Sequence, residues 1–358
     1  MTLKWYKHEH KAYYNCNLAI LSMFNGKKSV SIVWNQNLPT FIPPHLKVLS
    51  FLYLMELSGQ AVKSGMVAIV GPPNAGKSTL MNQFLGQKIS IVTPKPQTTR
   101  NRIAGIVNDP EYQIVFLDTP GLHKSRESLN TEMVKVAMES LADVDLVLFL
   151  VDVSLPLPEK MKEEKRAELM AYFQQISSPA IMVLNKIDQI DRKLMLPMIA
   201  SYAGLYPFKA VIPVSALSGD GVESLRNEIL TWLPMGPRLF PEDIPTDATE
   251  RFLCGEIIRE KVFLLTGQEI PYSTAVLIES FKEDESKKLV TIHAAIVVER
   301  NSQKGIVIGK GGEKLKSIGT AARKDIEHLL GEKVLLKLWV KVHKNWSQDK
   351  RFLKELGF

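Results

Sequence analysis

Cysteine is nearly absent from the 358 residues, which contain only Cys16 and Cys254. Two thiols cannot frame a disulfide-stapled fold, and they argue against a multi-cysteine zinc site. That scarcity suits a reducing compartment, so a cytoplasmic location is expected. No run of 18 or more apolar residues occurs, so no segment is expected to span a membrane. No stretch of 20–50 residues repeats. Arginine is missing from residues 1–64, and so is a basic stretch leading into an apolar core and a small-residue cleavage site. Neither a secretory signal nor a transit peptide fits that segment. It holds Asn15, Asn17, Asn25, Asn35 and Asn37 together with Pro39, Pro43 and Pro44. We read it as an extension that joins no core, with Met55 as an alternative start.

The composition that remains is that of a soluble globular chain, 45% hydrophobic and 23% charged. At about 100–200 residues per domain, two or three domains are expected. The net charge of +7 is unevenly placed. Residues 1–64 carry +5, residues 65–250 carry −4 and residues 251–358 carry +6. Within the last block, residues 300–354 hold 14 basic and 5 acidic side chains, a surplus of +9. Such a concentration is the footprint of a nucleic-acid or membrane-surface binder. A solvated lysine-rich face is the plain alternative.

Hydrophobic patterning divides the chain. Apolar strands are predicted at 66–71, 102–107, 112–118, 145–152, 180–185 and 210–215. Helices are predicted at 77–85, 131–141, 159–175 and 221–232. Strands that are apolar throughout and alternate with helices predict an α/β domain over residues 65–232, its mostly parallel sheet covered on both faces. Pro234, Gly236, Pro237, Pro241 and Pro245 mark residues 233–250 as a linker. A smaller α+β domain is expected over 251–358, with helices at 249–265, 312–330 and 348–356 and strands at 272–281, 288–299 and 334–342.

Four motifs carry chemistry in the first domain. Gly71-Pro72-Pro73-Asn74-Ala75-Gly76-Lys77-Ser78-Thr79 fits G-x-x-x-x-G-K-[ST] and lies between a strand and a helix. The glycines let backbone N–H groups surround phosphates, Lys77 would reach the β/γ-phosphates, and Ser78 would ligand Mg²⁺. Asp118-Thr119-Pro120-Gly121 ends the strand at 112–118. Asp118 would hold Mg²⁺ through water, and the Gly121 N–H would sense a γ-phosphate. Asn185-Lys186-Ile187-Asp188 ends the strand at 180–185. Asp188 can accept two hydrogen bonds from guanine that adenine does not offer, so a site built on them rejects adenine. Asn185 would tie this segment to the phosphate loop, and the stem of Lys186 would lie over the base. Ser215-Ala216-Leu217 ends the next strand, with the Ala216 N–H expected at the guanine oxygen. Between the first two motifs, Thr99 rather than Thr98 is expected to complete the Mg²⁺ shell and close over the γ-phosphate. Lys77, Thr99 and Gly121 are thus the expected catalytic set. The 96–103 and 119–130 loops are the expected moving parts.

Together with Pro-Glu-Asp-Ile-Pro-Thr-Asp at 241–247, the 251–261 helix and Val-Ile-Gly-Lys-Gly-Gly at 307–312, these motifs resemble the Era family of bacterial Ras-like GTPases over residues 65–358. Pro72 departs from the family, which usually has arginine there; the phosphate cradle is backbone, so the change is tolerable. The resemblance implies GTP hydrolysis with Mg²⁺, binding of GTP and GDP, and a C-terminal type II KH domain. It further implies binding to the 3′ end of small-subunit ribosomal RNA, a role in assembling that subunit, and peripheral membrane association in some members. In related GTPases with an asparagine like Asn74, a K⁺ ion supplies positive charge near the leaving group. Leu122 stands where many small GTPases carry a glutamine, and His123 follows it.

In the C-terminal block, Gly309-Lys310-Gly311-Gly312 is a G-x-x-G loop placed between a predicted strand and a helix. A KH module uses such a loop to admit a nucleic-acid backbone beside a groove for about four bases. Lys304, Lys310, Lys314 and Lys316 are the expected phosphate contacts. Ile306 and Ile308 would shape the groove or pack below it, and Gly305, Gly309, Gly311 and Gly312 complete the expected RNA-binding set at the loop. Trp339 reads as core, while Trp346 reads equally as a base-stacking or a packing residue. A monomer is expected. The competing reading is a GTP-regulated switch on a protein or membrane partner, with the KH-like module as its platform.

Overall fold

The computed structural model describes residues 61–96, 98–121, 143–267 and 270–356. Residues 1–60 of the expected extension, Met55 among them, lie outside the described residues, as do Leu122, His123 and the helix at 131–141; the last residues of that expected extension, Val62–Ser64, instead belong to the first strand.

β1 (Val62–Val70) is almost wholly buried and sits at the centre of a sheet ordered β2-β3-β1-β4-β5-β6. The others are β2 (Ile103–Asn108), β3 (Tyr112–Asp118), β4 (Leu146–Asp152), β5 (Ala180–Asn185) and β6 (Ala210–Val214). β2 runs antiparallel to β3, and the other main pairs are parallel. α1 (Lys77–Leu85) and α4 (Val222–Trp232) pack on one face with Phe116, Leu148 and Val183. α2 (Glu163–Phe173) and α3 (Met195–Ala203) pack on the other with Phe149, Met182 and Val151. Sequence pattern overlooks α3 because it contains Pro197. The proline falls in the first turn, where helix N–H groups have no intrahelical partner to lose.

Two expectations are corrected here. β1 begins at Val62, not at 66, because its first residues pair antiparallel with β7 (Met235–Gly236). The proline-rich 233–250 segment is also no loose linker. Gln113, fully buried on β3, accepts the N–H groups of Leu239 (2.6 Å) and Phe240 (2.9 Å) and donates to the Phe240 carbonyl (2.8 Å). Arg238 donates to the carbonyls of Asp109, Pro110 and Tyr112. Thr246 donates to the Ala104 carbonyl, and Asp247 accepts the Ala104 N–H. The prolines keep the segment extended, and Gln113 of the α/β domain together with the segment's own Arg238, Thr246 and Asp247 straps it down.

α5 (Glu250–Leu265) opens the smaller domain, capped by the Thr249 hydroxyl on the Phe252 N–H. β8 (Thr274–Asp284), β9 (Leu289–Val298) and β10 (Lys333–Val342) form a sheet ordered β10-β9-β8, antiparallel at β8/β9 and parallel at β9/β10. α5, α6 (Asn301–Ile308) and α7 (Glu313–Leu330) bury one face of it through Ile258, Val307, Ile318 and Ile326. Trp346 and α8 (Lys350–Glu355) cover one end of the other. Trp346 is fully buried and donates to the Ser273 carbonyl, so it packs and does not offer a stacking face. No described helix is long and apolar enough to cross a membrane.

Candidate functional site

The loop from Gly71 to Gly76 joins β1 to α1. Gly71 and Gly76 have φ of 147° and 94°. A Cβ at Gly71 would collide with the Leu150 carbonyl, and one at Gly76 with the Asn185 amide. Lys77 is buried and its Nζ donates to the carbonyls of Gly71 (3.1 Å) and Pro72 (3.0 Å). Burial pushes its pKa down to about 8, against the pull of Asp118. Gly121 lies against the same loop, with a side chain there arriving 2.9 Å from the Pro73 Cα. Pro73, Asn74, Gly76, Lys77, Ser78, Thr79, Thr99, Gly121 and Lys186 line one cavity of about 360 Å³.

Behind the lining residues Ser78 and Thr99 stands Asp118, fully buried at the end of β3. Its Oδ2 accepts the hydroxyls of Ser78 (2.7 Å) and Ser90 (2.7 Å), and Thr99 Oγ1 lies 3.4 Å away. Ser78 and Thr99 are 2.9 Å apart. Burial raises the Asp118 pKa against the pull of those hydroxyls and Lys77. Its Oδ1 is buried and has no hydrogen-bond partner among the described residues. A carboxylate oxygen left unsatisfied beside serine and threonine hydroxyls is an oxygen donor set that fits Mg²⁺, a hard ion that keeps several waters. Thr98 also lines the cavity, but its hydroxyl bonds to Thr93 and the Lys95 carbonyl and not to Asp118 or Ser78.

The base-reading motif gathers at the ends of β5 and β6. Asn185 donates to the Ala75 carbonyl (2.7 Å), which ties the motif to the phosphate loop. Asp188 is exposed, and its Oδ1 accepts the Ser215 hydroxyl at 2.6 Å. Lys186 is held at a φ of 70°, with Nζ 2.6 Å from Asp152 Oδ2, so its stem is pinned along the cavity. Leu217 is 78% exposed.

Two expected contacts are corrected. The Ala216 N–H donates to Asn185 Oδ1 (2.9 Å), not outward to a base. The Thr119 hydroxyl donates to the Ile69 carbonyl (2.9 Å) and is fully buried, so it braces β3 against β1 and does not face the cavity. Asn74 donates to the Pro94 carbonyl at 3.1 Å. Sequence reasoning missed Ser90, which has no motif around it. It is positioned by Asn82, whose side chain holds the N–H groups of Ile89 and Ser90 and the Ser90 carbonyl. It also missed Asp152.

In the smaller domain the G-x-x-G loop joins two helices, α6 and α7, and not the predicted strand and helix. Gly309, Gly311 and Gly312 all have left-handed φ, of 75°, 61° and 83°. At Gly305, Gly311 and Gly312 an added Cβ would meet nothing, so the backbone edge is open. Lys310 and Lys316 are exposed, Lys304 and Lys314 half-buried, Ile308 half-buried and Ile306 46% exposed. Beside the loop runs a groove of about 390 Å³, walled by Leu315, Gly319 and Arg323 of α7 and Leu336 and Leu338 of β10.

The family model described as 50S ribosome-binding GTPase matches residues 66–186, and a KH domain model matches residues 269–347. GTPase Era of Geobacter metallireducens is 51% identical over 302 residues, covering 84% of this chain and all of that protein. GTPase Era of Geotalea uraniireducens is 53% identical over 296 residues, covering 83% and 98%. The chain belongs to the Era family of GTPases. Two solved Era structures superpose on it with TM-scores of 0.78 at 41% identity, covering 83% of this chain and 99% of theirs. One is a point variant of Aquifex aeolicus Era bound to GDP·AlF4⁻, and the other is Era with MgGDPNP and nucleotides 1506–1542 of 16S ribosomal RNA. This Era-family chain therefore pairs a Ras-like P-loop GTPase domain with a C-terminal KH domain, and its reaction is GTP hydrolysis.

Proposed function

We propose that this GTPase is a switch whose nucleotide state sets its affinity for the 3′ end of small-subunit ribosomal RNA, and that it acts in assembly of that subunit. The observation that carries this is the coexistence of a guanine-nucleotide site with an open G-x-x-G loop and groove in the most basic part of the chain. Single-stranded RNA would lay its backbone on the glycine edge at 309–312 and its bases along the α7–β10 groove. Lys304, Lys310, Lys314 and Lys316 would meet its phosphates.

At the nucleotide site, phosphoryl transfer relies on positioning and charge stabilisation more than on a base. Lys77 exchanges its loop carbonyls for β/γ-phosphate oxygens. Asp188 reads the guanine edge while Ser215 fixes its orientation. The Gly121 N–H faces the γ-phosphate, and Thr99 closes over it. Ser78, Thr99 and, through water, Asp118 would hold Mg²⁺, which when bound offsets charge developing on the phosphates. A K⁺ ion near Asn74 would add positive charge at the leaving group; equal hydrolysis rates in K⁺ and Na⁺ would rule it out. The protein acts as a cytoplasmic monomer, and its lysine-rich C-terminal surface permits peripheral association with an anionic membrane face.

The test is binding of a 3′-terminal small-subunit RNA fragment to the full chain, with a Mg²⁺–GTP analogue or GDP, against a scrambled RNA at two salt concentrations. Tight, sequence-dependent binding favoured by the GTP analogue is expected. Weak binding that collapses with salt and ignores sequence and nucleotide would overturn the RNA reading.

A further inference from the structure

The segment that carries Thr99 is gripped by the KH domain on both sides of that residue. The Thr98 carbonyl accepts Arg259 Nη2 of α5 at 2.5 Å. Arg100 is buried, and its guanidinium donates to the carbonyls of Pro271 (3.1 Å), Tyr272 (3.1 Å) and Thr274 (2.8 Å). It also lies 5.6 Å from the centre of the buried Trp346 ring. Asn101 donates to the Leu356 carbonyl at 3.3 Å. Earlier in the segment, Lys95 Nζ donates to the carbonyls of Phe263 (2.5 Å) and Thr266 (2.8 Å), and the Val92 N–H donates to the buried Glu260 at 3.0 Å. Between these holds, the Thr99 side chain turns back to the GTPase domain, where it meets Ser78 and Asp118.

The chemistry of the Arg100 seat gives this grip a defined geometry. A guanidinium is planar, with donors in a fixed fork. Three carbonyls from one four-residue stretch, at Pro271, Tyr272 and Thr274, satisfy that fork only in one position. Leaving the seat half-made would strand a buried charge, which is costly. Adjacent Cα atoms are about 3.8 Å apart across a trans peptide, so the seat of Arg100 fixes where the Thr99 backbone can lie.

We propose that Arg100 is a positioning residue for GTP hydrolysis: seated in the 271–274 carbonyls of the KH domain, it holds Thr99 at the Mg²⁺ and γ-phosphate site. The KH domain thereby acts on the reaction in cis. The inference rests on the assignment of Thr99 to the nucleotide site made above. Lys95 secures the same segment as a second, weaker tether.

The test uses the full chain with Arg100→Ala, Arg100→Lys, Thr99→Ala and the Thr99→Ala/Arg100→Ala double variant. Single-turnover GTP hydrolysis, its Mg²⁺ dependence and GDP affinity are measured for each. A misplacement of about 1 Å can cost about 10²-fold in rate, so Arg100→Ala should lose on the order of 10–100-fold and require more Mg²⁺. GDP affinity should stay within about threefold, because GDP has no γ-phosphate for Thr99 to close over. Arg100→Lys keeps the charge but not the fork and should fall between. The double variant should be no slower than Thr99→Ala, whereas an effect through general destabilisation would add. Lys95→Met, at a more exposed position, should move the rate the same way by a smaller factor and serves if Arg100→Ala fails to fold. Loss in Thr99→Ala with none in Arg100→Ala and Lys95→Met would overturn the positioning role alone. No loss in either Thr99→Ala or Arg100→Ala would overturn the assignment of Thr99 itself.

Discussion

In the proposed function, Asp188 is the side chain that makes the site selective. One carboxylate oxygen is fixed by the Ser215 hydroxyl, and the group stands exposed at the end of β5, where a base would sit. Replacing it by asparagine puts a donor where guanine also donates. A site that hydrogen-bonds a polar edge rejects a ligand that cannot answer it by large factors. Asp188→Asn should weaken GDP by about 10³-fold and favour xanthine nucleotides; unchanged GDP affinity by isothermal calorimetry would show that Asp188 does not read the base. Two other buried groups set a pH limit. Burial pushes the Tyr202 hydroxyl and the Cys254 thiol each up to about 12, with nearby carboxylates adding to the shift. Both are neutral when protonated, so the unfolded chain ionises first. Their stabilisation is complete below about pH 9 and is lost as pH rises towards 12. The urea midpoint should therefore fall steadily above pH 9, and Tyr202→Phe and Cys254→Ala should each flatten that fall. A midpoint constant to pH 11 would contradict the assignment.

At the scale of elements, the sequence was most legible where a motif ended a strand. Asp118 and Asn185 close β3 and β5, where Asp118 meets Ser78 and Thr99 and Asn185 reaches the Ala75 carbonyl of the phosphate loop. It misled where local composition and tertiary context disagree. Ile306, Val307 and Ile308 are β-branched and apolar, yet they end α6, because Val307 needs only one buried face and Gln303 caps the start. Gln303 Oε1 accepts the N–H groups of Glu299 and Arg300, but the residue at the cap position is arginine, which no capping signature would flag. The proline-rich 233–250 segment reads as a spacer because its partners lie more than 100 residues away. Gln113 carries most of that hidden information. Gln113→Leu would leave the strap amides at Leu239 and Phe240 without their acceptor, at about 1–3 kcal/mol for each buried group left unpaired. A loss of about 2–4 kcal/mol in urea unfolding is expected; a change below about 0.5 kcal/mol would mean that the strap is held elsewhere.

Over the whole molecule, the nucleotide site and the groove beside the G-x-x-G loop are linked through the 88–101 segment and α5. Lys88, Glu260, Lys261 and Asp325 form a charge cluster that continues this seam onto α7, the helix that walls the groove. The cluster gives a physical connection between Ser90 and Thr99 on one side and α7 on the other. If GTP raises RNA affinity through this connection, thermodynamic linkage requires RNA to raise GTP affinity by the same factor. Allosteric couplings of this kind are typically about 5–150-fold. The prediction is measurable as a closed cycle. The Kd of a Mg²⁺–GTP analogue is measured with and without saturating 3′-terminal RNA, and the Kd of that RNA with and without the analogue. The two ratios should agree and exceed about fivefold. Replacing Lys310 and Gly311 by aspartates opposes the RNA backbone at the open glycine edge. It should abolish RNA binding and the RNA effect on nucleotide affinity, while hydrolysis without RNA stays intact, because neither residue touches the GTPase domain's cavity. Ratios near one with tight RNA binding would leave two independent sites in one chain. Loss of basal hydrolysis in the aspartate variant would mean instead that the G-x-x-G loop supports the GTPase fold.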